Sequence, residues 1–445
     1  MITTILLVFA SIISIGILVF VHELGHFLLA RWNGIRVETF SLGFGKPIWG
    51  FKKGDTFYQI GMIPLGGFCK MAGEEVKEGS TGAPDEYFSK PPWRRLLVIV
   101  AGPAFNYFFG ILIFAVVLLF PQTHETYTNR IDVLKTVDLN GKIQESPAVS
   151  AGLRPGDVIV SVNGKEIANW TDVKNGIIKD FDDSKSLTVR RGDETLSFDI
   201  TPLLDRDTGL AVIGITPWTE PLIVTIAADS AAEKSGLKKG DKIVRVNGTP
   251  VRTVTEMAEA VKSFPSRAMT LIVQRNGIQM KKAVILDETD GRKTLGVGFE
   301  PEVVTVRENG HNPVSALWLG FVKANDFIGQ NVKGLVLLVK RKINAGKSAA
   351  GPVKIVTFMT KIAKAGGFTA FVTFIGLISV ILAFFNLLPI PAVDGGYLIL
   401  FLAEWITGRK LDMKVLQVIQ TVGFFLIVGL LVLVTFNDIR SFWVK

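Results

Sequence analysis

The feature that most constrains this chain is a cluster of ionisable residues at the end of an uncharged apolar run. Residues 2–21 contain no charged side chain, and His22-Glu23-Leu24-Gly25-His26 follows directly. Two histidines four residues apart lie on one face of a helix, where both imidazoles can chelate one Zn²⁺. Glu23, beside the first histidine, can then act as general base towards water. Ionisable groups at the end of an apolar span are energetically costly, so they predict a functional site. The alternative is a chance polar cluster where the helix leaves the membrane.

The composition predicts a membrane protein with further domains outside the bilayer. Of the 445 residues, 48% are hydrophobic, and the mean hydropathy is +0.38. These values exceed those of an ordinary soluble protein but leave too few apolar residues for a chain made only of spans. Four uncharged stretches reach the roughly 20 residues that a bilayer-crossing helix needs. They are residues 2–21, 96–120, 366–393 and 415–436.

The net charge of +9 predicts membrane orientation rather than nucleic-acid binding, because of where the basic residues lie. Ten lysines and arginines fall between residues 31 and 95, and none precedes the first span. By the positive-inside rule this loop is cytoplasmic. Four spans then place both termini and residues 121–365 on the outer side, with the His22–His26 cluster near the cytoplasmic face.

The segment predicted to be exported contains an internal repeat. The letters GLRPGD and VNG within residues 152–164 recur as GLKKGD and VNG within 236–248, at an offset of 84 residues. Each copy predicts a short helix, a Gly-Asp turn, an alternating strand and an Asn-Gly hairpin turn, followed by a helix and further strands. The repeats resemble a tandem pair of PDZ domains, expected at residues 127–218 and 219–304. PDZ folds bind extended peptides by strand addition, so peptide tails are candidate partners, and a steric spacer without a ligand is the alternative.

A third zinc ligand must come from elsewhere in the sequence. The other histidines, His124 and His311, both lie in the predicted exported part, so a carboxylate is expected to complete the site. The candidate is Asp394, in the sequence NLLPIPAVDGG, which is expected to close the third span at the depth of the two histidines. Pro389 and Pro391 interrupt the helix there and free backbone carbonyls, which favours a water-filled or protein-lined cavity. An aspartate that merely caps the span is the alternative.

Residues 313–350 predict an amphipathic helix, because apolar residues recur there at helical spacing between charged ones such as Lys323 and Lys333. We expect it on the outer membrane surface or along the spans. A helix packed on the second repeat is the alternative.

Taken together, HELGH in the first span, NLLPIPAVDGG in the third and PDZ-like repeats between them resemble the site-2 protease family of intramembrane zinc metalloproteases. The likeness covers essentially the whole chain and departs from the usual pattern at Val393, where the family has leucine. It implies a polytopic α-helical membrane protein with four spans, a membrane-associated β-hairpin region and two tandem PDZ-like α+β domains outside the membrane. The membrane domain is then expected in two parts, residues 1–120 and 366–445.

Further stretches resemble family elements that contact substrate. Gly43-Phe44-Gly45 lies in a glycine-rich region, residues 34–75, similar to the family's membrane-embedded β-hairpin loop. Gly102-Pro-Ala-Phe-Asn106 resembles a motif of the substrate passage. An extended substrate could pair with the sheet edge around Gly43–Gly45, while Asn106 and Asn386 could bind unwound backbone. Helix packing within the bundle is the alternative role for both asparagines.

The resemblance implies hydrolysis of peptide bonds within or near the membrane span of single-span proteins. Anti-sigma factors and leftover signal peptides are the implied substrates, and the bacterial inner membrane is the implied location. Two functions of other classes remain open at this point. An inactive PDZ-containing receptor or scaffold has no need to keep Glu23, and a metal transporter predicts inverted repeats among the spans, which are not seen in the sequence.

Overall fold

The computed structural model describes residues 2–74, 82–139, 141–178, 183–289, 292–344, 351–410 and 412–443. These residues divide into two units. The first comprises residues 1–122, 308–339 and 345–445, and the second comprises residues 123–307 and 340–344.

The helices of the described residues, in chain order, are α1 (Ile2–Trp32), α2 (Pro92–Leu119), α3 (Pro147–Ser150), α4 (Trp170–Ile178), α5 (Ala231–Lys234), α6 (Val254–Ser263), α7 (Pro313–Val339), α8 (Pro352–Asn386), α9 (Asp394–Thr407) and α10 (Met413–Trp443). A 3₁₀ turn spans Tyr87–Ser89.

The strands are β1 (Val37–Lys53), β2 (Thr56–Met71), β3 (Gln122–Tyr127), β4 (Ile131–Val133), β5 (Thr136–Leu139), β6 (Lys142–Glu145), β7 (Val158–Val162), β8 (Lys165–Glu166), β9 (Lys185–Arg191), β10 (Glu194–Ile200), β11 (Leu203–Leu204), β12 (Ala211–Val212), β13 (Ile215–Pro217), β14 (Thr225–Ile226), β15 (Lys242–Val246), β16 (Thr249–Pro250), β17 (Ala268–Arg275), β18 (Ile278–Ile285), β19 (Asp287–Thr289), β20 (Arg292–Thr294), β21 (Val297–Gly298) and β22 (Val303–Glu308).

Four helical segments among the described residues are long and apolar enough to cross a membrane. They are Thr3–Trp32, Pro92–Leu119, Val353–Asn386 and Lys414–Arg440. Each overlaps one of the four stretches expected from the sequence. The first is longer than expected, because α1 continues through the ionisable cluster without a break.

The third stretch differs from its expectation, since it is not one helix to residue 393. The helix α8 is kinked at Gly367, where φ is 67°, and it ends at Asn386. Pro389 and Pro391 follow, and proline lacks the N–H that a helix needs and clashes with the preceding turn. Asp394 then begins the separate helix α9, so the expectation that it closes the third span is wrong.

The helix α2 is the centre of the helical unit, and glycines bring its neighbours close. A Cβ at Gly25 of α1 would lie 2.4 Å from the carbonyl oxygen of Ala101. A Cβ at Gly320 of α7 would lie 2.9 Å from the carbonyl oxygen of Ile111. Because glycine lacks a Cβ, α1 and α7 approach α2 to backbone contact.

The predicted helix at residues 313–350 is thus observed over Pro313–Val339, and residues 345–350 lie outside the described residues. It packs on α2 of the helical unit, through buried Ala316, Gly320 and Ala324. It belongs to the first unit. A position on the outer membrane surface stays a prediction.

The glycine-rich region forms an antiparallel hairpin of β1 and β2. Both strands are bent, so that one segment of β1 pairs with two separate segments of β2. Thr39 pairs with both Phe57 and Lys70, so residues 39–42 lie between two parts of β2. The outer of these parts, Gly67–Met71, is called the edge segment below. No other strand of the described residues pairs with its free side.

The second unit contains the two repeats, each built on a four-stranded antiparallel sheet. The strand order is β10-β9-β7-β8 in the first repeat and β16-β15-β17-β18 in the second, which is the same topology read in opposite directions. Each repeat has its own hydrophobic core. The helices and strands expected after each Asn-Gly turn are confirmed as α4, α6, β9 and β17.

Each repeat also carries the same ion pair behind its Gly-Asp turn. Asp157 accepts a hydrogen bond of 2.8 Å from Arg191 Nε, and Asp241 accepts one of 2.6 Å from Arg275 Nε. Both aspartates are buried, and hydrogen bonding by Arg275 holds the pKa of Asp241 below its ordinary value. The two copies are therefore equivalent down to this side-chain contact.

Candidate metal centre

Two imidazoles meet on one face of α1. His22 and His26 are separated by one helical turn, and their ring planes are inclined by 84° with centroids 4.8 Å apart. The two Nε2 atoms are 3.2 Å apart. The i, i+4 spacing of the motif therefore produces the convergence that the sequence predicts.

Asp394, the first residue of α9, brings a carboxylate to the same place. Its Oδ2 lies 3.1 Å from His22 Nε2, and its Oδ1 lies 3.6 Å from His26 Nε2. One ligand atom from each of the three side chains lies within 4.8 Å of the others. Donor atoms bound to a tetrahedral zinc ion at 2.0–2.1 Å stand about 3.3 Å apart, so the arrangement fits that ion.

The orientation of His26 is fixed by α2. Its Nδ1 lies 2.8 Å from the carbonyl oxygen of Val98. A carbonyl can only accept, so Nδ1 carries the proton and the lone pair of Nε2 faces the cluster. This backbone contact selects the tautomer that a metal ion requires.

Space for the two imidazoles depends on Gly102 of α2. A Cβ at this position would lie 2.3 Å from His26 Nε2 and 2.9 Å from His22 Cε1. Any other residue would displace the rings. The sequence motif around this glycine predicts only a substrate passage, because its contact with both histidines depends on how α2 crosses α1.

A buried ion pair holds the helix of Asp394 against α2. Arg95 donates from Nη2 to Glu404 Oε1 at 2.7 Å and from Nη1 to Oε2 at 3.2 Å. The guanidinium also lies 4.7 Å from the ring centroid of Phe401. A bidentate pair in a buried setting is costly to break, so it fixes α9 in place. This pair was not predicted from the sequence, although a lone glutamate within an apolar segment indicates a partner.

A cavity of about 290 Å³ opens beside the three converging side chains, and Glu23 lines it together with them. Cys69, in the edge segment, lines the same cavity as Glu23. A Cβ at Gly67 would lie 3.3 Å from Glu23 Cγ. The edge segment therefore runs along the cavity next to Glu23.

The residues predicted to bind substrate lie at different distances from this cavity. Asn386 lines it, whereas Asn106 does not. Asn106 is 1% exposed, and its side-chain atoms have no hydrogen-bond partner among the described residues. A role for Asn106 in substrate contact stays a prediction.

Gly43, Phe44 and Gly45 lie one strand away from the cavity and do not line it. Phe44 stacks on Phe68 with ring centroids 6.2 Å apart, and Phe68 does reach the cavity. A Cβ at Gly43 would lie 2.7 Å from a carbonyl oxygen of β2. The part of the hairpin that lines the cavity is thus the edge segment, and substrate pairing around Gly43–Gly45 stays a prediction.

Comparison with known proteins covers nearly the whole chain. The model of peptidase family M50 matches residues 10–430. The regulator of sigma-E protease RseP of Escherichia coli (strain K12) is 32% identical over 458 residues, which cover 96% of this chain and 97% of that protein. A protein of Vibrio cholerae whose name describes it as a zinc metalloprotease is 32% identical over 451 residues, with 96% and 97% covered.

Among solved structures, the HtrA3 PDZ domain bound to a phage-derived ligand is 24% identical and covers 19% of this chain and 88% of that chain. Its TM-score of 0.13 is too low to support an assignment. The family match and the full-length relatives carry the assignment instead, and they indicate a zinc-dependent protease of the bacterial inner membrane. The chain belongs to peptidase family M50, the site-2 type of intramembrane zinc metalloproteases.

Proposed function

We propose that His22, His26 and Asp394 hold the zinc ion of this protease and that Glu23 is its general base. The observation that carries the proposal is the convergence of three donor atoms within 4.8 Å beside a cavity that Glu23 also lines. When bound, the ion supplies a Lewis acid that polarises a carbonyl and makes water more acidic. Three protein ligands leave one coordination position for that chemistry.

Glu23 moves the protons of the hydrolysis. Its carboxylate accepts the proton of the attacking water and delivers it to the nitrogen of the leaving amine. Glu23 lines the cavity close to Gly67 of the edge segment, whose added Cβ would lie 3.3 Å from Glu23 Cγ. A proteolytically inactive scaffold is not favoured, because such a protein has no use for a carboxylate held at this place.

Substrate must reach the cavity as an extended chain. A membrane-spanning helix satisfies its own backbone hydrogen bonds, so it must unwind before a carbonyl can be attacked. The unwound segment pairs with the free side of the edge segment by strand addition. Asn386, which lines the cavity, binds the backbone groups that this strand leaves unpaired.

The natural substrates of this proposal are single-span membrane proteins, with anti-sigma factors first among them because one relative is named a regulator of sigma-E protease. In the proposed four-span topology the centre lies near the cytoplasmic face, with both termini and the tandem PDZ-like repeats outside. The repeats then either exclude substrates with bulky outer domains or hold peptide tails. In this topology the repeats lie outside the membrane and the metal centre lies near its inner face. The repeats therefore cannot take part in hydrolysis and can only control access or bind a peptide.

Replacement of Glu23 by glutamine tests the general base. We expect Glu23→Gln to keep about one zinc ion per chain and to lose about 10²–10⁴-fold in the kcat for a single-span substrate, because only proton transfer is removed. Metal analysis and single-turnover cleavage measure the two quantities. Glu166→Gln, on an exposed strand of the first repeat, is the control. Full cleavage by Glu23→Gln would refute the assignment.

Replacement of Gly102 by alanine tests the fit of the two imidazoles. The added Cβ would overlap His26 Nε2, so Gly102→Ala should bind zinc at least tenfold more weakly than wild type, by competition with a chelator. Gly16→Ala, in α1, is the matched control because nothing lies within 4 Å of a Cβ there. Equal zinc affinity of the two variants would contradict the observed packing.

Cysteine labelling tests the orientation. Cys69 is the one cysteine of the chain and is buried, so an introduced cysteine reports by itself. We expect a cysteine at Lys410 to react only with a membrane-permeant reagent and one at Asp193 also with an impermeant reagent, since the basic loops are cytoplasmic. Labelling of both positions by the impermeant reagent in intact cells would overturn the four-span topology.

A further inference from the structure

The cavity beside the proposed metal centre is also lined by a phenol that the proposed function does not use. Tyr397 lines it together with Glu23, Asp394 and both histidines. We propose that the Tyr397 hydroxyl donates a hydrogen bond to the oxygen of the scissile carbonyl as that oxygen gains negative charge, and that Gln420 positions this hydroxyl. The inference rests on the proposed function, because it assumes that a peptide bond is hydrolysed in this cavity.

Tyr397 stands on the same face of α9 as the proposed metal ligand. Asp394 is the first residue of this helix, and Tyr397 follows three positions later. Residues three apart in an α-helix are neighbours on its surface, with Cβ atoms about 5–6 Å apart. The first turn of α9 therefore brings a carboxylate to the two histidines and a phenol to the cavity beside them.

The Tyr397 side chain is held at both ends. Its ring lies against Phe401, one turn further along α9, with ring centroids 6.0 Å apart. Phe401 is fully buried and contacts the guanidinium of Arg95, which belongs to the ion pair that anchors α9. At the other end, the Gln420 amide of α10 donates a hydrogen bond to the Tyr397 hydroxyl oxygen. A donor that is fixed in this way needs no reorganisation when charge develops next to it.

The direction of the bond from Gln420 leaves the phenol proton available. A tyrosine hydroxyl can accept a hydrogen bond and still donate its own proton, and phenols keep that proton at neutral pH. The amide N–H fills the accepting role, and no described residue accepts the proton of Tyr397. Because Tyr397 is only partly buried, a substrate in the cavity can reach it.

The position of Gln420 is set where α10 crosses the proline-containing loop before α9. A Cβ at Gly423, three residues after Gln420, would lie 2.6 Å from Pro391 Cβ. Because only glycine fits there, α10 approaches the loop to backbone contact. This contact brings the amide of Gln420 to the phenol of α9.

Negative charge that develops in this cavity has no cationic side chain to stabilise it. No lysine or arginine is among the cavity-lining residues that the structure describes. When water adds to a carbonyl, the carbonyl oxygen gains negative charge, and a directed hydrogen bond to that oxygen lowers the barrier. The Glu23 carboxylate can only accept hydrogen bonds while it is ionised. A neutral donor such as the phenol of Tyr397 is therefore suited to this role.

Removal of the hydroxyl tests the donor. In Tyr397→Phe the ring stays in place, so zinc content should remain at about one ion per chain and KM for a single-span substrate within about twofold, while kcat should fall about 10²-fold. Affinity for a phosphinic peptide, an uncleaved anionic analogue of the tetrahedral stage, should fall by a similar factor, and affinity for the product peptide should not change. Metal analysis, single-turnover cleavage and calorimetry measure these quantities.

Tyr107→Phe is the matched control. The Tyr107 hydroxyl also accepts a hydrogen bond from an amide, that of Asn325, at 2.9 Å, but it does not line the cavity. This variant should keep the wild-type kcat and the wild-type affinity for the phosphinic peptide.

A double variant tests the positioning role of Gln420. Gln420→Met keeps the size of the side chain and removes the amide, so kcat should fall about tenfold in the otherwise wild-type enzyme. The same change in Tyr397→Phe should alter kcat by less than about twofold, because its effect passes through the phenol. Losses that multiply in the double variant would overturn this role.

The outcomes separate the two proposals. Full kcat in Tyr397→Phe, or equal losses of affinity for the phosphinic and product peptides, would overturn the role of Tyr397 while leaving the protease intact. Loss of zinc from Tyr397→Phe would assign the hydroxyl a structural role and overturn the proposal as well. A wild-type protein that holds zinc but cleaves no single-span substrate would count against the proposed function instead.

Discussion

The whole centre depends on how closely α2 passes α1. At Gly25 and Gly102 the two helices lie so near each other that no side chain larger than hydrogen fits. This contact brings the Val98 carbonyl to Nδ1 of His26 and leaves both Nε2 atoms facing the position that Asp394 completes. In lipid, where water does not drive apolar faces together, such small-residue packing is a main source of helix association. The same contact therefore holds the fold and shapes the proposed metal site.

The position of the third donor, Asp394, depends on two other features. The apolar helix before it is interrupted, and a distant ion pair anchors the helix that Asp394 begins. Prolines end the third apolar helix early, so the aspartate stands at the start of α9 and not inside a continuous span. A free helix start would leave its carboxylate poorly placed. The buried Arg95–Glu404 pair anchors α9 to α2, which is also the helix that orients His26. The histidines of α1 and the aspartate of α9 are thus both positioned by contacts with α2.

The sequence predicted those features whose evidence is local. The HELGH spacing, the apolar stretches and the two Gly-Asp and Asn-Gly turns each carry their information within a few residues, and the structure contains the corresponding helices, strands and converging side chains. The features that were missed are long-range. Arg95 and Glu404 are 309 residues apart, and the edge segment reaches the cavity through a hairpin in which residues 39–42 pair on both sides. The third span was drawn too long because its uncharged run continues to Val393, although Pro389 and Pro391 within that run already mark the end of the helix.

The central claim is that two histidines of α1 and one carboxylate of α9 bind the catalytic zinc. Zinc K-edge X-ray absorption of the purified, active protein measures this donor set directly. The account predicts two imidazole nitrogens and oxygen donors at about 2.0–2.1 Å, with no sulfur and with one oxygen donor lost in Asp394→Ala. A sulfur donor at about 2.3 Å, which would have to come from Cys69, or an unchanged spectrum in fully active Asp394→Ala, would contradict it.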